Sequence, residues 1–294
     1  MSAMRLFIVA NVEKANVRPA LDELLPWLAG RAEVTGVETD SDFDLSKVEA
    51  DAILILGGDG TLLSVARRLG GRQIPLMGVN FGRLGFLASF TPANFRAHLQ
   101  ALLSNGLPIR GAMMIEASVL PEGAQCRAAD GQDVAKHRRF VATALNDAVV
   151  TAGPPFNMIE LEISADSEHG VRYFGDGVII STPSGSTAYN VSAGGPIISP
   201  DVEAICITPI CPHSLSFRPV VISPKGTIVA HAVKVNEGTT LFCDGQASTR
   251  LKAGEKVVVH RSAHDVQLIE NPDAREWRTL AEKLNWAVTP KYNP

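Results

Sequence analysis

Apolar positions in the first hundred residues come in short blocks that alternate between two periods. Residues 6–9 form a continuous apolar run, which predicts a buried strand, while Ala20, Leu21, Leu24, Leu25 and Leu28 recur at helical spacing over residues 19–28. Residues 52–56 predict a second strand, followed by a helix over 61–69 carried by Leu62, Leu63, Val65, Ala66 and Leu69. Residues 74–79 predict a further strand and 92–103 another helix. Strands alternating with helices build a parallel sheet, and such sheets take ligands outside the carboxyl ends of their strands.

After Gly106 the period changes. Ile159, Leu161 and Ile163 alternate with Glu160 and Glu162, as on a half-buried strand. Further short strands are predicted over 220–223, 227–233, 240–243, 256–260 and 266–270, punctuated by Pro, Gly, Asn and Asp as in a sandwich. Residues 121–138 are polar and read as an exposed loop or hairpin, and 274–286 return to helical spacing. The expected fold is therefore α/β plus all-β. An N-terminal open parallel α/β (Rossmann-like) domain over 1–105 carries the first glycine turn. A β-sandwich-type, β-rich domain covers 106–270, and a terminal helix within 271–294 packs back on the first domain.

Bulk properties narrow the class. The 294 residues are 46% hydrophobic and 20% charged, an ordinary globular balance. A net charge of −4, from 27 basic and 31 acidic residues, argues against a general nucleic-acid binder. Cys126, Cys206, Cys211 and Cys243 fit no zinc spacing and are expected as small buried apolar residues. The apolar run at 4–10 is too short for a secretory core, and none approaches the ~20 residues needed to cross a bilayer. A cytoplasmic protein is expected.

Between the strand at 52–56 and its helix the chain reads Gly57-Gly58-Asp59-Gly60-Thr61. Glycine lets backbone N–H groups approach a phosphate, and a helix N-terminus favours negative charge there. Asp59 repels phosphate, so it marks a group that takes a proton or faces a metal ion, or else a helix cap in a tight turn. The P-loop lysine and the dinucleotide fingerprint are both missing. The turn resembles the signature shared by NAD kinases, diacylglycerol-type lipid kinases and phosphofructokinases. That implies phosphoryl transfer and leaves the acceptor open.

A second constellation lies at 175–196. Asp176 precedes a short apolar strand, followed by Ser181, Thr182, Ser184, Ser186, Thr187 and Tyr189, interrupted by Pro183 and Gly185. A short helix is predicted to begin near Ser186, capped by a hydroxyl and ended by Gly194-Gly195-Pro196. Such a density of small donors suits a polar, planar or phosphorylated ligand, with Tyr189 placed to stack on a ring; a Ser/Thr-rich surface turn is the alternative. Asn146 and Asp147 fall inside an apolar strand predicted over 141–150. Adjacent polar residues there need a partner, such as a sugar edge, or exposure at a bulge.

Taken in order, the glycine turn, the segment 80–87, Asn146-Asp147 and the 175–189 segment closely resemble the NAD kinase family. The likeness runs from about residue 50 to the C-terminus and includes 211–219 and 243–246. Lipid kinases and phosphofructokinases share the first turn but lack the 175–196 segment. The resemblance implies transfer of the ATP γ-phosphoryl group, with Mg²⁺ or another divalent cation, to the 2′-hydroxyl of the adenosine ribose of NAD, giving NADP. It implies Asp59 as general base and Gly57, Gly58, Gly60 and Thr61 as the phosphate-holding residues, with Asp59 and Gly60 also touching NAD. Asn146 and Asp147 would bond ribose hydroxyls, and Asp176 the amide or ribose at the other end. Ser184, Thr187, Ala188, Tyr189, Asn190, Val191 and Ser192 would line the dinucleotide pocket, closed by Gln246. No residue is assigned to a metal. Relatives assemble through the β domain, which implies a homodimer or homotetramer.

Two departures from the family pattern stand out. Asp147 replaces a usual Glu, shortening its reach by one methylene, and Phe174 stands where many relatives carry a basic residue. Two other readings of the same residues are a lipid or small-alcohol kinase using the same turn and a dinucleotide sensor without turnover; an intact Asp59 argues against the second.

Overall fold

The computed structural model describes residues 3–40, 42–82, 85–124, 137–166, 169–274 and 276–284. The chain divides into two compact units, Met1–Gly111 with Gln267–Pro294, and Ala112–Val266. Among the described residues no helix is long and apolar enough to cross a membrane.

The first unit is built on a six-stranded sheet. Its strands, numbered along the chain, are β1 (Arg5–Ala10), β2 (Glu33–Glu38), β3 (Ala52–Gly57), β4 (Leu76–Asn80), β5 (Ile109–Ala112) and β18 (Val266–Ile269), in the order β2-β1-β3-β4-β18-β5. Pairing is parallel from β2 across to β18. Helices α1 (Val17–Leu28), α2 (Asp59–Arg68) and α3 (Phe95–Asn105) follow β1, β3 and β4, and α5 (Glu276–Leu284) follows β18. Every residue of β3 is buried, as expected of a central strand in a covered parallel sheet. Leu6, Ile8, Leu54 and Leu56 form one core with Leu21, Leu24 and Leu28 of α1 and Phe95 and Leu99 of α3.

Three elements differ from the sequence expectation. β2 carried no alternating apolar signal because it is an edge strand with Gly36 at its centre, where a Cβ would lie 2.5 Å from the Phe7 ring. Helix α2 begins at Asp59, two residues before the predicted start at Thr61. Residues 266–269 join the parallel sheet, with Leu268 opposite Leu76, and not the β-rich unit to which their spacing assigned them. The predicted terminal helix is present over Glu276–Leu284; Asn285 and Trp286 lie outside the described residues, as do Cys126, Arg83, Leu84 and most of the 121–138 segment.

The second unit contains two six-stranded sheets. One holds β6 (Ile115–Leu120), β7 (Phe140–Ala144), β9 (Ile159–Ala165), β10 (Val171–Gly175), β14 (Ile228–Lys234) and β17 (Lys256–Arg261). The other holds β8 (Asp147–Thr151), β11 (Gly177–Ser181), β12 (Ile205–Ile210), β13 (Val220–Ile222), β15 (Thr240–Cys243) and β16 (Ala247–Arg250). Ile115, Val119, Ile228, Val257 and Val259 of the first share a core with Val150, Val178, Ile180, Ile205 and Leu241 of the second, which makes the unit an antiparallel sandwich. The apolar run 141–150 is not one strand. It is β7 in one sheet and β8 in the other, and the chain crosses between sheets at Leu145 and Asn146. Both halves are apolar because both face the same core, so composition does not mark the crossing.

Ile180 is 1% exposed in that core. Replacing it with Ala is expected to cost about 2–5 kcal/mol, since the sheets cannot close fully over the missing methylenes. A denaturant titration should show a lower unfolding midpoint, and a midpoint equal to the wild type would contradict this packing.

Candidate functional site

In the first unit the ends of β1, β3 and β4 meet at the carboxyl edge of the sheet. Gly57 is paired with Asn80 across β3 and β4. The Gly57 carbonyl accepts from Phe81 N at 3.0 Å and from Lys14 Nζ at 3.3 Å. The buried Asn80 turns its Oδ1 to accept from Gly82 N at 2.9 Å. Gly57, Gly58, Asp59, Gly60 and Thr61 are thus gathered beside the second glycine segment. Thr61 Oγ1 is buried and makes no hydrogen bond; a Cβ on Gly57 would lie 2.3 Å from it.

Asp59 is the first residue of α2, with Gly58 as the N-cap, so its charge favours the helix dipole. Its carboxylate does not cap its own helix. It reaches across to the segment after Gly85, where Oδ2 accepts from Phe86 N at 2.8 Å and Oδ1 accepts from Leu87 N at 3.3 Å and Ala88 N at 2.9 Å. A Cβ on Gly85 would lie 1.8 Å from Asp59 Oδ1, so only glycine admits the carboxylate. A carboxylate offers about four acceptor sites. Three are taken here, and the remaining one is on Oδ2.

In the second unit the sheet crossing forms a polar corner. Asp244, in a left-handed conformation (φ 53°) at the β15–β16 turn, accepts from Leu145 N at 2.9 Å, Asn146 N at 2.7 Å and Asp147 N at 3.2 Å. Its own N–H donates to Asp147 O at 3.0 Å. Thr182 closes the other side, with its N–H on Asn146 O at 2.9 Å and its Oγ1 on Leu145 O at 2.5 Å. Asp147 is therefore 6% exposed beside a second carboxylate. Burial first, and the Asp244 charge second, push its carboxyl up to about 7. Gln246 is exposed on the same turn.

The hydroxyl-rich segment does not form the predicted capped helix. Ser184–Thr187 is a single 3₁₀ turn and α4 (Tyr189–Ser192) follows it. The Ser186 hydroxyl caps neither; it is buried, donating to Pro183 O at 2.7 Å and accepting from Ile198 N at 2.9 Å. Asn190 is likewise 0% exposed, with Nδ2 on Ser186 O and Pro196 O and Oδ1 accepting from Thr208. Its side chain is spent on holding the turn. Ser184, Thr187, Ala188 and Val191 are half-buried, and Tyr189 and Ser192 are exposed.

Asp176 is not brought to this corner. Ser181 lies opposite Asp147 while Gly177 lies opposite Thr151, so Asp176 sits at the far end of the β8–β11 pair. At about 3.4 Å per residue the two ends are roughly 14 Å apart. Cys211, expected to be buried, is exposed there at φ 44°, and the Asp176 carboxylate bonded to its thiol pushes that thiol up.

Two polar residues carried no sequence signal, and a third lay inside a family-like stretch without its role being legible. Lys14 lies outside any motif, and only the fold brings it to the glycine turn. Lys283 of α5 places its ammonium 4.2 Å from the Phe86 ring centroid; burial lowers its pKa, with the charge of Asp59 acting the other way. Asp244 lies in that stretch, 243–246, where it reads as half of a common turn pair with Gly245, but its hold on the Leu145, Asn146 and Asp147 N–H groups was not legible there. Among the described residues no three His, Cys, Asp or Glu side chains are grouped to hold a metal ion.

Comparison with known proteins places these features in a family. The models of the ATP-NAD kinase N-terminal and C-terminal domains match residues 6–107 and 145–271. The NAD kinase of Rhodopirellula baltica is 35% identical over 283 residues, covering 96% of this chain and 87% of that protein. The crystal structure of yeast NADH kinase complexed with NADH matches with a TM-score of 0.85 at 22% identity, over 100% of this chain and 90% of that one, a likeness of fold. An NAD kinase from Archaeoglobus fulgidus in complex with ATP matches with a TM-score of 0.75 at 27% identity, over 96% and 99%.

The raised Asp147 carboxyl makes stability depend on pH. Below about pH 4 both the folded and unfolded chains hold the proton. Between there and about 7 the unfolded chain releases it and the folded one keeps it, so stability falls as pH rises, by about 1.4 kcal/mol per unit of the pKa difference. Asp147→Asn removes this loss. Urea unfolding at pH 4.5 and 7.5 should show the variant gaining a few kcal/mol on the wild type at the higher pH; a difference independent of pH would contradict it.

Proposed function

This chain belongs to the ATP-NAD kinase family, and we propose on that footing how its residues divide the work. It is a kinase that phosphorylates NAD to NADP. In our reading ATP gives its γ-phosphoryl group to the 2′-hydroxyl of the adenosine ribose. Gly57, Gly58, Gly60 and Thr61 hold the donor's phosphates and Asp59 takes the hydroxyl proton. The observation that carries this is the fixed Asp59 carboxylate: three backbone N–H groups set its direction and leave one Oδ2 acceptor site for the hydroxyl. Phosphoryl transfer asks a protein mainly for such positioning and for neutralised charge.

We assign the dinucleotide to the second unit. Asn146 and Asp147 bond its ribose hydroxyls, Asp176 bonds its far end, and Gln246 closes the pocket. The roughly 14 Å between the two ends of the β8–β11 pair suits an extended dinucleotide. Ser184, Thr187, Ala188, Tyr189, Val191 and Ser192 line the pocket, with Asn190 acting through the turn it holds. Among the described residues no three His, Cys, Asp or Glu side chains form a protein cage for a metal, so in our reading the divalent cation, Mg²⁺, is carried on the donor's phosphates. When bound it offsets the repulsion between Asp59 and those phosphates. We also propose a cytoplasmic homodimer or homotetramer. Val220 and Val221, about half exposed on the edge strand β13, support assembly through the sandwich.

The base is tested by Asp59→Asn. Turnover is expected to fall about 10²- to 10⁴-fold, with NAD still bound at near wild-type affinity by calorimetry. Turnover within a few-fold of the wild type would remove Asp59 from that role.

A further inference from the structure

We propose that Lys14 is the lysine that grips the phosphate chain of the donor, the part that a P-loop would supply from its own sequence. The proposal rests on the phosphate-holding role given to the glycine turn above. Its first support is topology. In the order β2-β1-β3-β4, β1 connects onward to β2 on one side while β3 connects onward to β4 on the other, so the connections from β1 and β3 leave in opposite directions. The crevice of an open parallel sheet lies at such a switch point, here between the carboxyl ends of β1 and β3. Lys14 stands just past the end of β1, held by its N–H on Asn11 O at 3.1 Å, and the glycine turn stands just past the end of β3.

The second support is convergence. Lys14 Nζ spends one of its three donors on Gly57 O at 3.3 Å. A Cβ on Gly58 would lie 2.3 Å from the same Nζ, so the bare glycine is what lets the ammonium sit against the turn. Thr61 Oγ1, buried and without a hydrogen bond, faces the neighbouring Gly57 in the same way. An ammonium and an unused hydroxyl therefore meet at two successive glycines at the start of α2. These are the three parts of a P-loop, a glycine turn, a lysine and a threonine hydroxyl, assembled from separate stretches of chain. Among the described residues Lys14 has no ion-pair partner. The ammonium reads charge and not a base, so the ligand class is a polyphosphate chain, whether nucleoside triphosphate or inorganic.

The test uses the full-length protein with Lys14→Met and Lys14→Arg. Lys14→Met should raise the KM for ATP about 10-fold or more while the KM for NAD stays within about two-fold, the loss expected for one charge-assisted contact. Lys14→Arg should recover most of the ATP affinity. Inorganic tripolyphosphate should compete with ATP on the wild type and do so about 10-fold less well on Lys14→Met. Calorimetric titration of ATP without NAD gives an arm free of turnover. If the wild type binds ATP but forms no NADP, the functional reading fails while this arm still decides Lys14. Unchanged ATP affinity, equal rises for ATP and NAD, or an arginine variant as weak as the methionine one would overturn the proposal.

Discussion

The arrangement of the first unit depends on one half-buried electrostatic contact, the Asp59 carboxylate set against the backbone N–H groups of Phe86, Leu87 and Ala88. It ties the first turn of α2 to the segment following β4, so the two glycine-rich stretches hold a fixed relation. Charge-assisted bonds of this kind are stronger than neutral ones, and three to one side chain fix its direction as well as its place. The proton-accepting role we propose for Asp59 asks for a side chain held in that way, so that it acts on one oxygen and not another. The same contact explains Gly85, which clears the space for the carboxylate, whereas the neighbouring Gly58 leaves room for the Lys14 ammonium.

The second unit repeats the device with a different acid. Asp244 gathers the N–H groups of Leu145, Asn146 and Asp147 where the chain passes from one sheet of the sandwich to the other. Backbone that leaves a ladder must find other partners, and a carboxylate in a left-handed turn supplies them. The result places Asp147 close to a second negative charge with little access to water, which is why its carboxyl resists ionisation. A carboxyl that holds its proton near neutrality can donate a hydrogen bond as well as accept one. That suits the ribose-binding role we propose for Asp147.

The sequence and the structure agree best where a residue's reason is local. The strand–turn–helix around Asp59 and the alternation of Ile159, Leu161 and Ile163 were legible because burial and period lie in neighbouring residues. Asn146 and Asp147 stood out because they are polar in an apolar run, yet the crossing of sheets that explains them was not visible. Ser186 and Asn190 show the reverse: their composition reads as ligand-facing, while the fold turns both side chains inward to Ile198, Pro196 and Thr208. A hydroxyl or amide looks the same in sequence whether its partner is a ligand or a carbonyl twelve residues away.

By itself the sequence determined the class of each half, the ordered motifs that mark the family, and the identity of the acid at the glycine turn. These follow from short-range period and from residue types whose chemistry does not depend on neighbours. Only the tertiary structure decided what that acid touches, which strand 266–269 joins, that Lys14 and Lys283 stand beside the glycine-rich segments, and that Asp244 holds the sheet crossing. Parallel pairing and sheet crossings join residues tens to hundreds of positions apart. The partner of a buried charge is set by that geometry and not by what lies next to it in the chain.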